Sequence, residues 1–136
     1  MVSRTATFNS IIASTILLAA ASGCFAQTWP SRPIRMIVPF TAGGPTDAIA
    51  RPLGQVLGEA LGQPVLLDNR PGANSIVGAD VTAHSPADGY TLLLSTISTL
   101  ALNPAGYKSL PYDSMKDFVH VAKLVSSYHL IVARKG

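Results

Sequence analysis

The residues best placed to do chemistry in this chain are Gly43, Gly44, Thr46 and Asp47, in the stretch Val38-Pro-Phe-Thr-Ala-Gly-Gly-Pro-Thr-Asp47. A run of apolar residues enters a glycine-rich turn and then a helix start. Glycines 43 and 44 permit backbone angles that aim successive N–H groups at one point, and a helix start adds about half a positive charge there. Such a cluster suits an anion. A carboxylate held this way gains charge-assisted hydrogen bonds without needing a lysine. Thr46 can donate its hydroxyl. An ionised Asp47 only accepts, so it would receive an amine, a ligand hydroxyl or a bridging water. Phe40, at the entry to the same turn, joins this candidate set. A plain tight turn with a helix cap would use the same residue types.

Two later stretches repeat the pattern. Asn69-Arg-Pro-Gly-Ala73 is a second turn, followed by Asn74 and Ser75, which serve equally well as helix caps or ligand donors. Ser95, Thr96, Ser98 and Thr99 follow a third apolar run and would bring hydroxyls to the same edge. Arg70 is a tempting counter-charge, but its loop setting favours a surface or ion-pair position. His84, His120 and His129 are too scattered for a metal site, so no metal or other cofactor is expected. The chain has no G-x-G-x-x-G, no G-x-x-x-x-G-K-[ST], no G-x-S-x-G and no C-x-x-C, and no nucleophile stands beside an evident base. Binding, rather than catalysis, is the reading these residues support.

The elements that must position these turns are legible. Ile34 to Val38 reads as a strand buried on both faces. Thr46 or Asp47 would cap a helix to about Leu61, with Ile49, Leu53, Val56, Leu57, Ala60 and Leu61 as its core stripe and Gly62 then Pro64 as its stop. Pro52 disagrees, costing roughly 3 kcal/mol unless the helix kinks or starts later. Val65 to Leu67 reads as a second buried strand, Ile76 to about His84 as a helix, and Tyr90 to Leu94 as a third strand. A short helix around Leu100 to Ala105 is limited by Pro104, and Asp113 caps a turn through Phe118. Val119 to Val125 and Leu130 to Ala133 read as two more strands, and Trp29 and Tyr90 as packing residues. Strand and helix alternate, so the fold class is α/β: a mostly parallel sheet with flanking helices.

Residues 1–26 have the layout of a secretory signal, with Arg4, an uncharged run from Ile11 to Ala21, and small residues after it. That run is too short to cross a hydrocarbon core of roughly 30 Å. Cleavage before Gln27 is favoured. Ala21-Ser22-Gly23-Cys24 resembles a lipoprotein box but lacks its usual leucine. Without the leader the domain, residues 27–136, has no cysteine, hence neither disulfides nor thiolate metal sites. Nine Lys and Arg then face seven Asp and Glu, a charge of +2 with no basic run, which argues against a nucleic-acid or membrane-surface partner.

The chain resembles the extracytoplasmic solute receptors of tripartite tricarboxylate transporters, often called Bug receptors. The matching strings are Trp29-Pro-Ser-Arg-Pro-Ile-Arg35, Val38-Pro-Phe40, Ala42-Gly-Gly-Pro-Thr-Asp47, Leu61-Gly-Gln-Pro-Val65 and Asn69-Arg-Pro-Gly-Ala73. Gly78-Ala-Asp80, Asp88-Gly-Tyr-Thr-Leu-Leu93, Asn103-Pro104, Leu110-Pro-Tyr-Asp113 and Lys116-Asp-Phe118 continue in the same order. The resemblance implies a periplasmic, two-lobed receptor, monomeric at full length, that closes on a small carboxylate and hands it to membrane transporter subunits. It also implies that residues 27–136 are the N-terminal part of the first lobe only. Departures occur at Asn74-Ser75-Ile76, where the family usually has a glycine pair and an asparagine, at Leu100, where it commonly has histidine, and at Pro52. Two rival readings stand beside this one: an exported hydrolase-like α/β enzyme fragment, and a non-functional remnant.

Overall fold

A computed structural model describes residues 28–126 and 132–134. The leader, its two cleavage sites, His129 and Leu130 lie outside the described residues. The chain divides into two compact units, Met1–Ser31 and Arg32–Gly136. In the first unit, residues 28–31 have no regular structure, and Trp29 is exposed by about half. No helix among the described residues is long and apolar enough to cross a membrane.

In the second unit, β1 (Ile34–Val38) is followed by α1 (Pro45–Leu61), β2 (Val65–Asn69), α2 (Ile76–Ala83) and β3 (Thr91–Leu93). A π-helical turn, Ser98–Leu102, then runs into α3 (Asn103–Gly106). The three strands form a parallel sheet in the order β2-β1-β3. Ile34 faces Val65 and Val38 faces Asn69 on one side of β1, while Arg35 faces Thr91 and Ile37 faces Leu93 on the other.

β1 is central, and Ile34, Met36, Ile37 and Val38 are buried, as its apolar run requires. Met36 and Val38 share a face with Val65, Leu67, Leu92 and Leu94, and Ala50, Leu53 and Leu57 of α1 pack there. Right-handed crossovers that place β2 and β3 on opposite sides of β1 put α2 on the other face. Gly78 makes that approach possible: a Cβ there would lie 2.6 Å from the Pro39 Cβ. At the far end of the sheet, Arg32 pairs with Asp88 at 2.7 Å and stacks 4.0 Å over the Tyr90 ring, joining the starts of β1 and β3.

Several sequence expectations need correction. Leu53 and Leu57 of the expected α1 stripe do pack on the core, but the fully buried residues are Asp47, Ala50 and Gly54, and Ile49, Val56 and Ala60 are exposed. Small residues let the helix lie close to the sheet, and a count of large apolar residues misses that part of the face. The helix begins at Pro45, with Gly44 as a cap that has no side-chain bond. Proline suits this position because its missing N–H would have been an orphan anyway. β2 is not buried on both faces, since Leu66 is 56% exposed. The stretch from Val119 to Val125 forms no strand. Val119 and Val121 are almost fully exposed, as a β-branched run without a neighbouring strand supplies no ladder for itself. Residues 132–134 likewise belong to no strand.

Pro52 neither ends nor delays α1, which runs through it on an exposed face. Its missing N–H leaves the Ala48 carbonyl without a helical donor. Pro52→Ala should therefore raise the unfolding free energy by about 1–3 kcal/mol in a urea melt, and an unchanged midpoint would show that the proline is accommodated without penalty.

Candidate functional site

All three strands deliver polar residues at their carboxyl ends, where open parallel sheets hold ligands. With β2 and β3 on opposite sides of β1, the chain switches direction between β1 and β3, the place where open α/β sheets take their ligands.

The first turn departs from the expectation of a row of free amides. Gly43, at φ 79°, donates its N–H to Asp47 Oδ2 at 2.9 Å, and the Gly44 N–H goes to the Thr41 carbonyl at 3.3 Å. Asp47 is only 1% exposed. Its Oδ2 also accepts from Arg51 Nε at 2.7 Å, and its Oδ1 from Asn69 Nδ2 at 3.0 Å. The same Asn69 nitrogen donates to the Phe40 carbonyl at 3.1 Å. The Gly43 amide first, then Asn69 and Arg51, hold the Asp47 carboxyl below its ordinary value, against the opposing effect of burial. The carboxylate thus faces inward rather than toward a ligand. Among the described residues, the Thr46 and Asp47 amides, in the first turn of α1, find no acceptor.

The second turn is strained. Ala73, Asn74 and Ser75 all have positive φ, at 44°, 52° and 74°. For residues with a Cβ this costs roughly 1–2 kcal/mol each. Neither Asn74 nor Ser75 caps α2. Ser75 Oγ lies 2.8 Å from Thr99 Oγ1, and Asn74 Nδ2 donates to Asn103 Oδ1 at 2.7 Å. Asn103 Nδ2 returns a bond to the Asn74 carbonyl at 2.8 Å, and the Tyr112 hydroxyl donates to the Thr99 carbonyl at 2.6 Å. Ser75, Thr99 and Asn103 are buried. This network clamps the strained turn from α3 and the π-helical turn. Thr96 accepts there from the amides of Thr99 and Leu100, yet its own buried Oγ1 has no partner among the described residues. Ser95 and Ser98 are half-buried beside it.

Phe40, Gly43 and Asp47 are therefore gathered with Asn69 and Arg51, while Asn74 and Ser75 are gathered with Thr99, Asn103 and Tyr112. The sequence reading omitted Asn69, Asn103 and Tyr112 from the site. Asn69 had a signal, a polar residue closing an apolar run just before a turn; Asn103 and Tyr112 had none beyond their motifs. Arg70 bonds to Asp68, in line with an ion-pair position, and His84 and His120 are exposed. Among the described residues no three His, Cys, Asp or Glu side chains gather as metal ligands. An open hollow of about 610 Å³ lies beside α1 and β2, lined by Gly54, Gly58 and Gly62. It runs along the helix, and no residue of β1 or β3 lines it.

Comparison with known proteins now decides the family. Residues 49–136 match the model of the tripartite tricarboxylate transporter family receptor. The chain belongs to that family. Protein BugT of Bordetella pertussis is 52% identical over 98 residues, which cover 71% of this chain and 30% of that one. A solved periplasmic transporter is 49% identical, with a TM-score of 0.63, over 65% of this chain and 30% of that one. MatC from Rhodopseudomonas palustris, solved with bound malate, is 37% identical, with a TM-score of 0.64, over 66% of this chain and 31% of that one. The chain thus spans about a third of the length of the receptor-family proteins it matches.

Two predictions follow from this geometry. Ser75→Ala keeps the left-handed strain and loses the Thr99 contact, while Ser75→Gly loses the contact but relieves the strain. The glycine variant should be the more stable by about 1–2 kcal/mol in paired melts, the reverse of the usual helix order. The second concerns pH. Because the Asp47 pKa is lowered on folding, its stabilisation is complete above the ordinary value of 3.8 and is lost as pH falls through the folded value. Asp47→Asn should be less stable than the unmodified chain at pH 7, and the gap should close below pH 3.8; a gap independent of pH would contradict this.

Proposed function

We propose that this chain is the carboxylate-reading part of an extracytoplasmic solute receptor, serving a tripartite tricarboxylate transporter from the periplasm. In this reading residues 1–26 are the export signal, and residues 27–136 belong to the first lobe. The acid enters the crevice between the carboxyl ends of β1 and β3. The observation that carries the reading is the strand order β2-β1-β3, which opens that crevice beside both polar turns.

The available donors are the Thr46 and Asp47 amides, the Thr46 hydroxyl, the turn at Asn74 and Ser75, and the hydroxyls of Ser95, Thr96 and Ser98. They favour an anion with oxygen acceptors, and water can bridge where they do not reach. A small dicarboxylate is the favoured class, supported by family membership and by the malate held in the solved relative. In keeping with membership of a receptor family, the chain in this reading captures and delivers its ligand without changing it. Membrane subunits of the transporter receive the acid, and no nucleic acid, metal or organic cofactor takes part.

A second lobe would cover the other side of the acid. Without one the ligand stays half-solvated, and affinity should fall to the order of millimolar, about −4 kcal/mol. An amide chemical-shift titration with malate tests this. Saturable shifts at Thr46, Asn74, Ser75 and Thr96, absent with the neutral dimethyl ester, are expected. Equal responses to acid and ester, or no response at these residues, would sink the reading.

A further inference from the structure

We propose that the first glycine turn is a carboxylate site already filled by the chain's own Asp47, and that this internal pair is the positioning element joining the two ligand-facing turns. The proposal deepens the receptor reading and rests on it.

The donor set around Asp47 is what a bound carboxylate would need: one backbone amide, one side-chain amide and one guanidinium, at 2.7 to 3.0 Å. A left-handed glycine presents the amide, and the side chain that fills the site is buried. A carboxylate reaching back four residues from a helix's first turn gains the favourable end of the dipole as well. The Gly43 N–H is consequently engaged and unavailable to the captured acid, which must be read by the Thr46 and Asp47 amides and by the second turn.

Asn69 makes the pair more than a local cap. It ends β2, in register with Val38, and its two amide hydrogens reach Phe40 and Asp47 in the first turn. The next residue, Arg70, donates its N–H to the Val38 carbonyl at 2.8 Å and starts the connection to Ala73, Asn74 and Ser75. Removing the Asp47 charge loosens Asn69 and, with it, the root of the second turn.

The test is chemical rescue of Asp47→Ala, which opens a cavity of the shape and charge preference of a small carboxylate. The variant should melt roughly 4–8 °C below the unmodified chain. Formate should restore a saturable part of that loss, equimolar chloride should not, and the gain from formate should be smaller in the unmodified chain. The same response to formate and chloride would overturn the proposal. Should Asp47→Ala fail to fold, the Gly43 amide resonance of the unmodified chain decides instead. Its shift should follow a carboxyl titration below pH 3.8 and be flat in Asp47→Asn; a flat Gly43 profile in the unmodified chain would overturn it. The malate titration separates the two readings. Malate shifting Thr46 and Ser75 but not Gly43 supports both. A large malate shift at Gly43 refutes the internal occupant while leaving the receptor reading intact, and rescue without any malate response does the opposite.

Discussion

β1 is hydrogen-bonded along both edges and covered on both faces, and the positions of all three polar turns follow from that. Its Val38 carbonyl accepts the Arg70 amide from the end of β2, and its Ile37 carbonyl accepts the Leu94 amide from the end of β3. These bonds pin the two outer strands at the level where β1 enters the first turn. Ile34, Ile37 and Val38 are almost completely buried, so the register cannot slip by one residue without turning the apolar set away from the core. The switch point between β1 and β3 is thus a consequence of strand pairing. Its polar groups need only stand at the strand ends to meet there.

Burial on this scale obliges the polar groups near the strand ends to find partners. Asp47 does so with Gly43, Asn69 and Arg51, and Asn103 does so with Asn74, near Ser75 and Tyr112. Each network also carries a conformational burden. The first holds a left-handed glycine. The second holds three consecutive left-handed residues with side chains. Asn74 and Ser75 pair with Asn103 and Thr99, which offsets part of the strain. The second turn is in this way fixed by side-chain hydrogen bonds where glycine would have left it freer. The Thr96 hydroxyl beside it, without a partner among the described residues, is the polar atom most in need of one.

Much of the architecture was legible before any coordinates. Pro33 and Pro39 bracket the first strand, Gly62 and Pro64 stop the first helix, and Asp88-Gly89 marks the turn into the third strand, because each of these residue types restricts the local backbone on its own. The failures share another origin. The run from Val119 to Val125 has the residue types of a strand, but a strand exists only where a neighbour offers a ladder. Ile49 and Val56 match a helical period, yet Ala50 and Gly54 face the sheet because close approach rewards small side chains over large ones.

Within the site the same division holds. That glycines 43 and 44 make a turn able to bind an anion, and that the polar residues after each strand gather at one edge, is written in local backbone preference and in the alternation of strand with helix. Which anion fills the turn is not. Asp47 gains its Asn69 partner because β2 lies beside β1, and Asn74 turns to Asn103 because the chain returns past it 29 residues later. Local sequence limits the angles each residue prefers, whereas a hydrogen bond between distant residues depends on where the sheet sets their ends.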